Sequence, residues 1–426
     1  MNLPRPLALA LSVGALLLAM VAVSRAEEVQ PELGAAAPAT ASADPADAVP
    51  EPEAAEAPAP QLGVARLDPA LGRYVAPYGS GRALLTLSAP LQERLTQTLA
   101  QYAVPWGVTV LIEPATGRVL AMAEHARAQP GAGAGAGDLA LRAIAPAASV
   151  FKLVTAAALL EQGISPGEQV CFHGGHHRLD PRLLADDPRR DRRCLTLETA
   201  FGKSTNVVFA KLAGRGLDAA ALRSAASRFL FNTAIPFPRA VEPSTARIDD
   251  DAFQLANTAA GFGPVRLSPM HAALLAAIVA NGGVFVPPVL VDEVEGAPAP
   301  PAAEPWRVID EEVASALAEM MRSTVTEGTA RRTFRRATSA LRNVTVAGKT
   351  GTLSDKDPYR DYTWFVGYAP ADDPEVAVAT VIANDRHWRV HAPAVAREAL
   401  EAYFRGQVAQ GAVGADRVRT ARATLE

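Results

Sequence analysis

The run APAASVFKLVTAAALLEQG, residues 145–163, places Ser149 three residues before Lys152. From Val150 to Leu160 no other charged residue occurs. The spacing predicts a helix ending at Gly163, a natural stop. Residues three apart share a helix face, close enough to hydrogen-bond. Two readings follow. Ser149 caps the helix and Lys152 reaches solvent. Alternatively, Ser149 is a nucleophile and a neutral Lys152 is its base, with the helix N-terminus offering N–H groups to an oxyanion. The apolar setting favours the second, because a charged group there needs a reason.

Composition adds a hint. Among the 41 basic residues only Lys152, Lys203, Lys211, Lys349 and Lys356 are lysines. Where an arginine-rich chain keeps lysine, the position can need a cation able to lose its proton, which arginine cannot do. The chain has 426 residues, 49% hydrophobic, enough for one large domain or two ordinary ones. Its net charge of −4 gives no argument for nucleic acid.

The N-terminus carries a processing signature. Arg5 precedes an apolar run from Leu7 to Val23, then Ser24-Arg25-Ala26. This fits a secretory signal peptide over residues 1–26, or an uncleaved membrane anchor. Both place the remainder outside the cytoplasm. Residues 27–62 are rich in Ala, Pro and Glu, and read as a disordered tether.

Residues 63–410 read as the folded domain, and 411–426 as a C-terminal tail. Residues 87–103 have helical spacing, with Leu91, Leu95 and Leu99 on one face. Residues 107–124 form two apolar runs around Pro114-Ala115-Thr116-Gly117, a β-hairpin signal. GAGAGAGD at 131–138 lacks the Lys-Ser/Thr close of a phosphate loop and reads as a flexible surface loop. Helices are expected over 197–216, broken near Ser204-Thr205-Asn206, and over 268–283, 310–328 and 393–406. Strands are expected over 343–353, 362–370 and 375–384. The pattern predicts a mixed α+β fold whose sheet is closed by elements distant in sequence.

Two further constellations carry chemistry. Lys349-Thr350-Gly351-Thr352 sits on an expected strand. A lysine, two hydroxyls and a glycine admitting close backbone approach suit an extended peptide ending in a carboxylate. The bland reading is a strand end with a turn glycine. Ser204-Thr205-Asn206 sits at a helix break, where such residues usually cap.

In this order the three groups resemble the penicillin-recognising serine acyltransferases. Ser149-Val150-Phe151-Lys152 is similar to the Ser-x-x-Lys motif, Ser204-Thr205-Asn206 to Ser-x-Asn, and Lys349-Thr350-Gly351 to Lys-Thr-Gly. The flanking VLIEPATGRVLAMAE, ANTAAGFGPVRLSPMHAALLAAIVANGGV, VTEGTA and YTWFVGYAPADDPEVAVATVIAN resemble the penicillin-binding protein transpeptidase domain, over roughly residues 87–406.

The resemblance implies a β-lactamase/transpeptidase-like fold: a five-stranded antiparallel sheet flanked by helices, plus a mostly helical subdomain. It implies attack by Ser149 on the D-Ala-D-Ala carbonyl of a peptidoglycan stem peptide, and acylation of Ser149 by β-lactams. Lys152 would take the serine proton. Ser204, assisted by Lys349, would pass a proton to the leaving amine. Asn206 would hold the substrate amide and contact Lys152. Thr350 and Thr352 would bind the terminal carboxylate, with Gly351 allowing close approach. The N–H groups of Ser149 and Thr352 would form the oxyanion hole. No metal or cofactor is implied, and cell-wall assembly partners are.

Departures from the family matter too. Roughly 80 residues lie between position 27 and the expected hairpin, too few for a glycosyltransferase domain or a large N-terminal pedestal. Ala147-Ala148 stands where the family often has Gly or Gly-Ser. Within the superfamily the rivals are a D,D-carboxypeptidase and a serine β-lactamase. The Glu-x-x-Leu-Asn segment that supplies the water's base in one β-lactamase class is absent. A non-catalytic penicillin- or peptide-binding sensor is a rival from another class, but a pure binder need not keep Lys152.

Cys171 and Cys194 are the only cysteines. In an exported protein such a pair suggests a disulfide. Zinc binding with His173, His176 and His177 is the alternative, as are free thiols.

Overall fold

The computed structural model describes residues 62–127, 138–175, 178–357 and 359–423, with side chains through residue 407. The expected leader (1–26), the tether up to residue 61, residues 131–137 of the glycine-rich run, and His176 and His177 lie outside the described residues. Among the described residues no helix is long and apolar enough to cross a membrane.

A central sheet organises everything else. Its strands are β1 (Trp106–Ile112), β2 (Val119–Ala126), β3 (Ala347–Lys356), β4 (Tyr359–Ala369) and β5 (Val376–Asn384). They are ordered β3-β4-β5-β1-β2, and every neighbouring pair is antiparallel. The N-terminal hairpin therefore completes a sheet begun by the C-terminal meander.

Side chains alternate across this sheet as the pleat requires. On β5, Val376, Val378 and Ile382 face one core, while Ala377, Ala379, Val381 and Ala383 face the other. The first core is covered by helix α1 (Ala89–Tyr102) through Leu91, Leu95 and Leu99, and by the C-terminal helix through Val395, Ala396, Ala399 and Leu400. Between them, Thr109 and Thr380 satisfy each other's buried hydroxyls at 3.0 Å across β1 and β5.

The helical part supplies the second core. Its helices are α2 (Lys152–Glu161), α3 (Leu197–Gly202), α4 (Asn206–Gly216), α5 (Ala219–Arg228), α6 (Ala252–Ala259), α7 (Pro269–Ala280) and most of α8 (Glu311–Thr326), whereas α9 (Arg331–Phe334) and the C-terminal α10 (Ala392–Ala423) lie against the first core. Helix α7 is apolar all round and buried from Pro269 to Val279, as expected of a helix enclosed between sheet and subdomain. The Ser268 side chain caps its N-terminus by accepting from the His271 N–H at 3.2 Å.

The structure shifts some expected boundaries. β3 begins at Ala347 rather than 343, because Val344 donates to the Leu341 carbonyl in a turn. β4 begins earlier, at Tyr359, where polar residues pair with the end of β3. α10 continues past Gly406 to Ala423, over much of the segment read as a tail. The alanine-rich composition there favours helix. Cys171 and Cys194 face each other in the small ribbon of Gln169–Phe172 and Arg193–Thr196, and are disulfide-bonded.

Candidate active site

Ser149 lies in a 3-10 turn, Ala148–Phe151, that leads directly into α2. The turn is held from several sides. Trp364 of β4 donates its Nε1–H to the Pro146 carbonyl at 2.9 Å. Gly351 of β3 packs so closely that a Cβ there would lie 3.3 Å from the Ala147 carbonyl and 3.2 Å from Val150. Ala148, where the family often has glycine, sits at φ 49°. A left-handed alanine costs about 1–2 kcal/mol, so the substitution stores strain beside Ser149. Ser204 is likewise left-handed, at φ 54°.

The α3–α4 break presents Ser204 and Asn206, and β3 presents Lys349, Thr350 and Thr352. These elements converge on one cleft of about 520 Å³, lined by Ser149, Ser204, Asn206, Thr350, Gly351 and Thr352. Every residue singled out for catalysis or substrate binding is in or beneath this cleft.

Lys152 Nζ donates to Ser149 Oγ at 2.9 Å, to Asn206 Oδ1 at 2.7 Å and to the Ala260 carbonyl at 2.5 Å. Lys349 Nζ donates to Ser204 Oγ at 3.0 Å and to the Thr350 carbonyl at 2.9 Å. Both lysines are fully buried. Among the described residues, neither has a carboxylate within ion-pair distance. Burial, and secondarily the charge of Lys349, hold the Lys152 ammonium well below its ordinary pKa. Burial alone brings Lys349 down to about 7. The Phe209 and Phe201 rings lie 5.4 Å from Lys152 Nζ and Lys349 Nζ respectively. They supply an apolar floor that disfavours full charge yet tolerates a cation.

Chemically, this is a hydroxyl beside a buried amine that loses its proton easily, with a second hydroxyl–amine pair across the cleft. Such a set can accept a proton, form an ester and return the proton, with no carboxylate.

The family model for the penicillin binding protein transpeptidase domain matches residues 107–401. This chain belongs to that family. It is 30% identical over 359 residues to the peptidoglycan D,D-transpeptidase PbpA of Mycobacterium tuberculosis, covering 74% of this chain and 70% of that protein. The imipenem acyl-enzyme structure of penicillin-binding protein A from M. tuberculosis superposes with a TM-score of 0.62 at 27% identity, covering 76% of this chain and 80% of that one. Pseudomonas aeruginosa PBP2 in complex with WCK 5153 superposes with a TM-score of 0.62 at 25% identity, covering 75% and 78%. The α+β transpeptidase fold expected from the motifs is thus the fold of the family.

The cleft also holds residues that sequence reasoning assigned no role. Thr329 Oγ1 lies 2.5 Å from Thr350 Oγ1, and Phe262 and His391 line the walls. Thr329 belongs to the VTEGTA segment that carries part of the family resemblance, so a signal for it existed. His391 had no such signal, because no motif contains it. The Ala260 carbonyl could not be found from side-chain types at all.

Proposed function

We propose that this penicillin-binding protein is a serine D,D-transpeptidase acting on peptidoglycan stem peptides, with its catalytic domain outside the cytoplasm. Neutral Lys152 takes the Ser149 proton as Oγ attacks the penultimate D-Ala carbonyl. The oxyanion forms against the N–H groups of Ser149 and Thr352. As the C–N bond breaks, Ser204, assisted by Lys349, relays the proton held by Lys152 to the departing D-Ala amine, which leaves Lys152 neutral again. The product is an ester on Ser149. The amine of a second stem peptide then attacks this ester, Lys152 serving again as base. Thr350 and Thr352 hold the terminal carboxylate, and Asn206 holds the substrate amide. β-Lactams acylate Ser149 by the same attack, and no leaving group departs because the ring tethers it.

The observation that carries this reading is Lys152: fully buried, unpaired with any carboxylate among the described residues, and 2.9 Å from Ser149 Oγ. A structural lysine would be paired or solvated. The test is incubation with a fluorescent penicillin, following label over hours. A persistent label that is absent from Ser149→Ala supports a transpeptidase. Absence of label from the wild-type chain removes every acylating reading. Rapid loss of label indicates a β-lactamase instead. Transfer is then measured as dimeric product from a donor stem peptide and an acceptor amine.

A further inference from the structure

A second cleft, of about 480 Å³, lies next to the catalytic one and is lined by Glu327, Gly328, Arg331, Arg332, Arg335 and Arg336. Four arginines within six residues stand out on a chain of net charge −4. All four are exposed, and among the described residues none forms an ion pair. The nearby arginines differ. Arg322 is engaged by Asp372 and Glu319, and Arg397 by Glu398 and Glu401. Local carboxylates are thus consumed by other cations, leaving Glu327 as the cleft's own acid.

The platform is firmly anchored. Gly328 N–H donates to the Ser323 carbonyl at 2.8 Å, Thr329 N–H to Gly202 at 3.1 Å and Ala330 N–H to Thr324 at 3.0 Å. A Cβ on Gly328 would sit 2.0 Å from the Gly202 carbonyl oxygen, so only glycine fits this approach. Phe334 is buried against Phe365 of β4, with ring centroids 5.0 Å apart. The backbone that carries the arginines is therefore fixed relative to the sheet. The two clefts meet at consecutive residues: Gly328 lines one, and Thr329, bonded to Thr350, lines the other.

We propose that the arginine cleft is an anion-binding subsite that captures the free carboxylates of an incoming peptide and delivers them to the Thr350 end of the catalytic cleft. This rests on the assignment of Thr350 and Thr352 to the substrate carboxylate. Concentrated cationic charge beside a low-dielectric cleft raises encounter with anions by 10- to 10³-fold, and salt removes that gain. A carboxylate-bearing peptide is the occupant because the subsite opens where the peptide's own terminal carboxylate docks.

The test compares second-order acylation constants of the purified full chain with a monocarboxylate and a dicarboxylate penicillin. Salt is varied from about 0.01 M to about 1 M, over which the screening length falls from about 30 Å to about 3 Å. The variants replace Arg331, Arg332, Arg335 and Arg336 together by Glu or together by Lys. At low salt the Glu variant is expected to acylate about tenfold more slowly, with the larger loss for the dicarboxylate and little remaining salt dependence. The Lys variant keeps the wild-type rate, and deacylation is unchanged in both. Should the Glu variant misfold, the Lys variant and the wild-type salt series still decide.

The inference is overturned if wild-type acylation ignores salt, if both penicillins respond equally, or if the Lys variant loses as much as the Glu variant. Inhibition by inorganic phosphate beyond that of sodium chloride at equal ionic strength also overturns it, in favour of a phosphate ligand. A chain that is never acylated fails the transpeptidase reading, whereas an acylated chain indifferent to charge fails only this one.

Discussion

Lys152 and Lys211 are both buried lysines in the helical part of the molecule, yet their surroundings are opposite. Lys152 donates to a hydroxyl, an amide oxygen and a backbone carbonyl. Lys211, beneath the disulfide ribbon, donates to Asp191 at 2.7 Å, to Asp186 at 3.1 Å and to the Cys171 carbonyl at 3.1 Å. Burial raises the pKa of Asp191, but hydrogen bonds from the Asp187 amide, Lys211 and His173 outweigh it and hold the carboxyl below its ordinary range. Arg215 also pairs with Asp186. Burial therefore does not make a lysine a base. A buried ammonium with a counter-charge is a structural ion, and one without a counter-charge gives up its proton.

The most direct way to break this comparison is at the cleft. Ser149→Ala is expected to abolish acylation by penicillin, read as loss of the adduct mass. Lys152→Met keeps the apolar packing and removes the base. It should lower the acylation constant by about 10²–10⁴-fold with the fold intact. A near-normal rate in Lys152→Met would assign proton transfer elsewhere.

Lys349→Met comes next, with an expected loss of about 10²-fold. The pH dependence sharpens the point. Proton acceptance requires neutral Lys152, so wild-type acylation should rise with pH and level off well below the ordinary lysine value of 10.5. A limb near 10.5 would mean the burial has no chemical effect. Stability carries the same signature. Lys349 titrates at about 7 when folded and 10.5 when unfolded, so the unfolded chain binds more protons between these values. Stability from this group rises with pH across that window and is lost as pH falls to 7, and Lys349→Met should flatten the slope in denaturant titrations.

At the other pole, Lys211→Met should leave acylation per folded molecule unchanged. It takes the cation away from a carboxylate whose side chain is 4% exposed, leaving the Asp187 amide and His173 as its partners, and should destabilise the chain by about 3–5 kcal/mol in denaturant unfolding. Adding Asp191→Asn should recover much of that loss. If Lys211→Met instead impairs acylation without loss of stability, the two lysines do not have opposite roles. The smallest effect expected is from Cys171→Ser with Cys194→Ser. The bond spans 23 positions and its removal should cost about 3 kcal/mol, with acylation unchanged.

Lysine scarcity illustrates how far the chain could be read unaided. It marked five positions as worth explaining. Lys203 and Lys356 prove exposed, and Lys211 is ion-paired. Only Lys152 and Lys349 lie in the catalytic constellation. Scarcity could not separate them, because carboxylates such as Asp186 and Asp191 come from a loop whose path local pattern does not specify. The helix break at Ser204 was legible, since capping residues interrupt a periodic run. The Ala260 carbonyl and the aromatic floor of Phe201 and Phe209 were not. A backbone oxygen has no residue-type signature, and a phenylalanine in a helix is ordinary core until its neighbour is known.

The arginine run 331–336 was visible as composition, but not as a cleft. Its meaning depends on Gly328 lying against Gly202 and on Thr329 reaching Thr350, both contacts across more than a hundred residues or between separate elements.

By itself, the sequence determined which hydroxyls and amines could react, which local elements carry them, and which family they resemble, because periodicity, capping and motif spacing act over a few residues. The tertiary structure alone decided which lysines lack a counter-charge and which hydroxyl each one meets. Those depend on how residues 149, 206, 260 and 349 are brought within hydrogen-bond reach of one another, and desolvation and charge pairing act through space rather than along the chain.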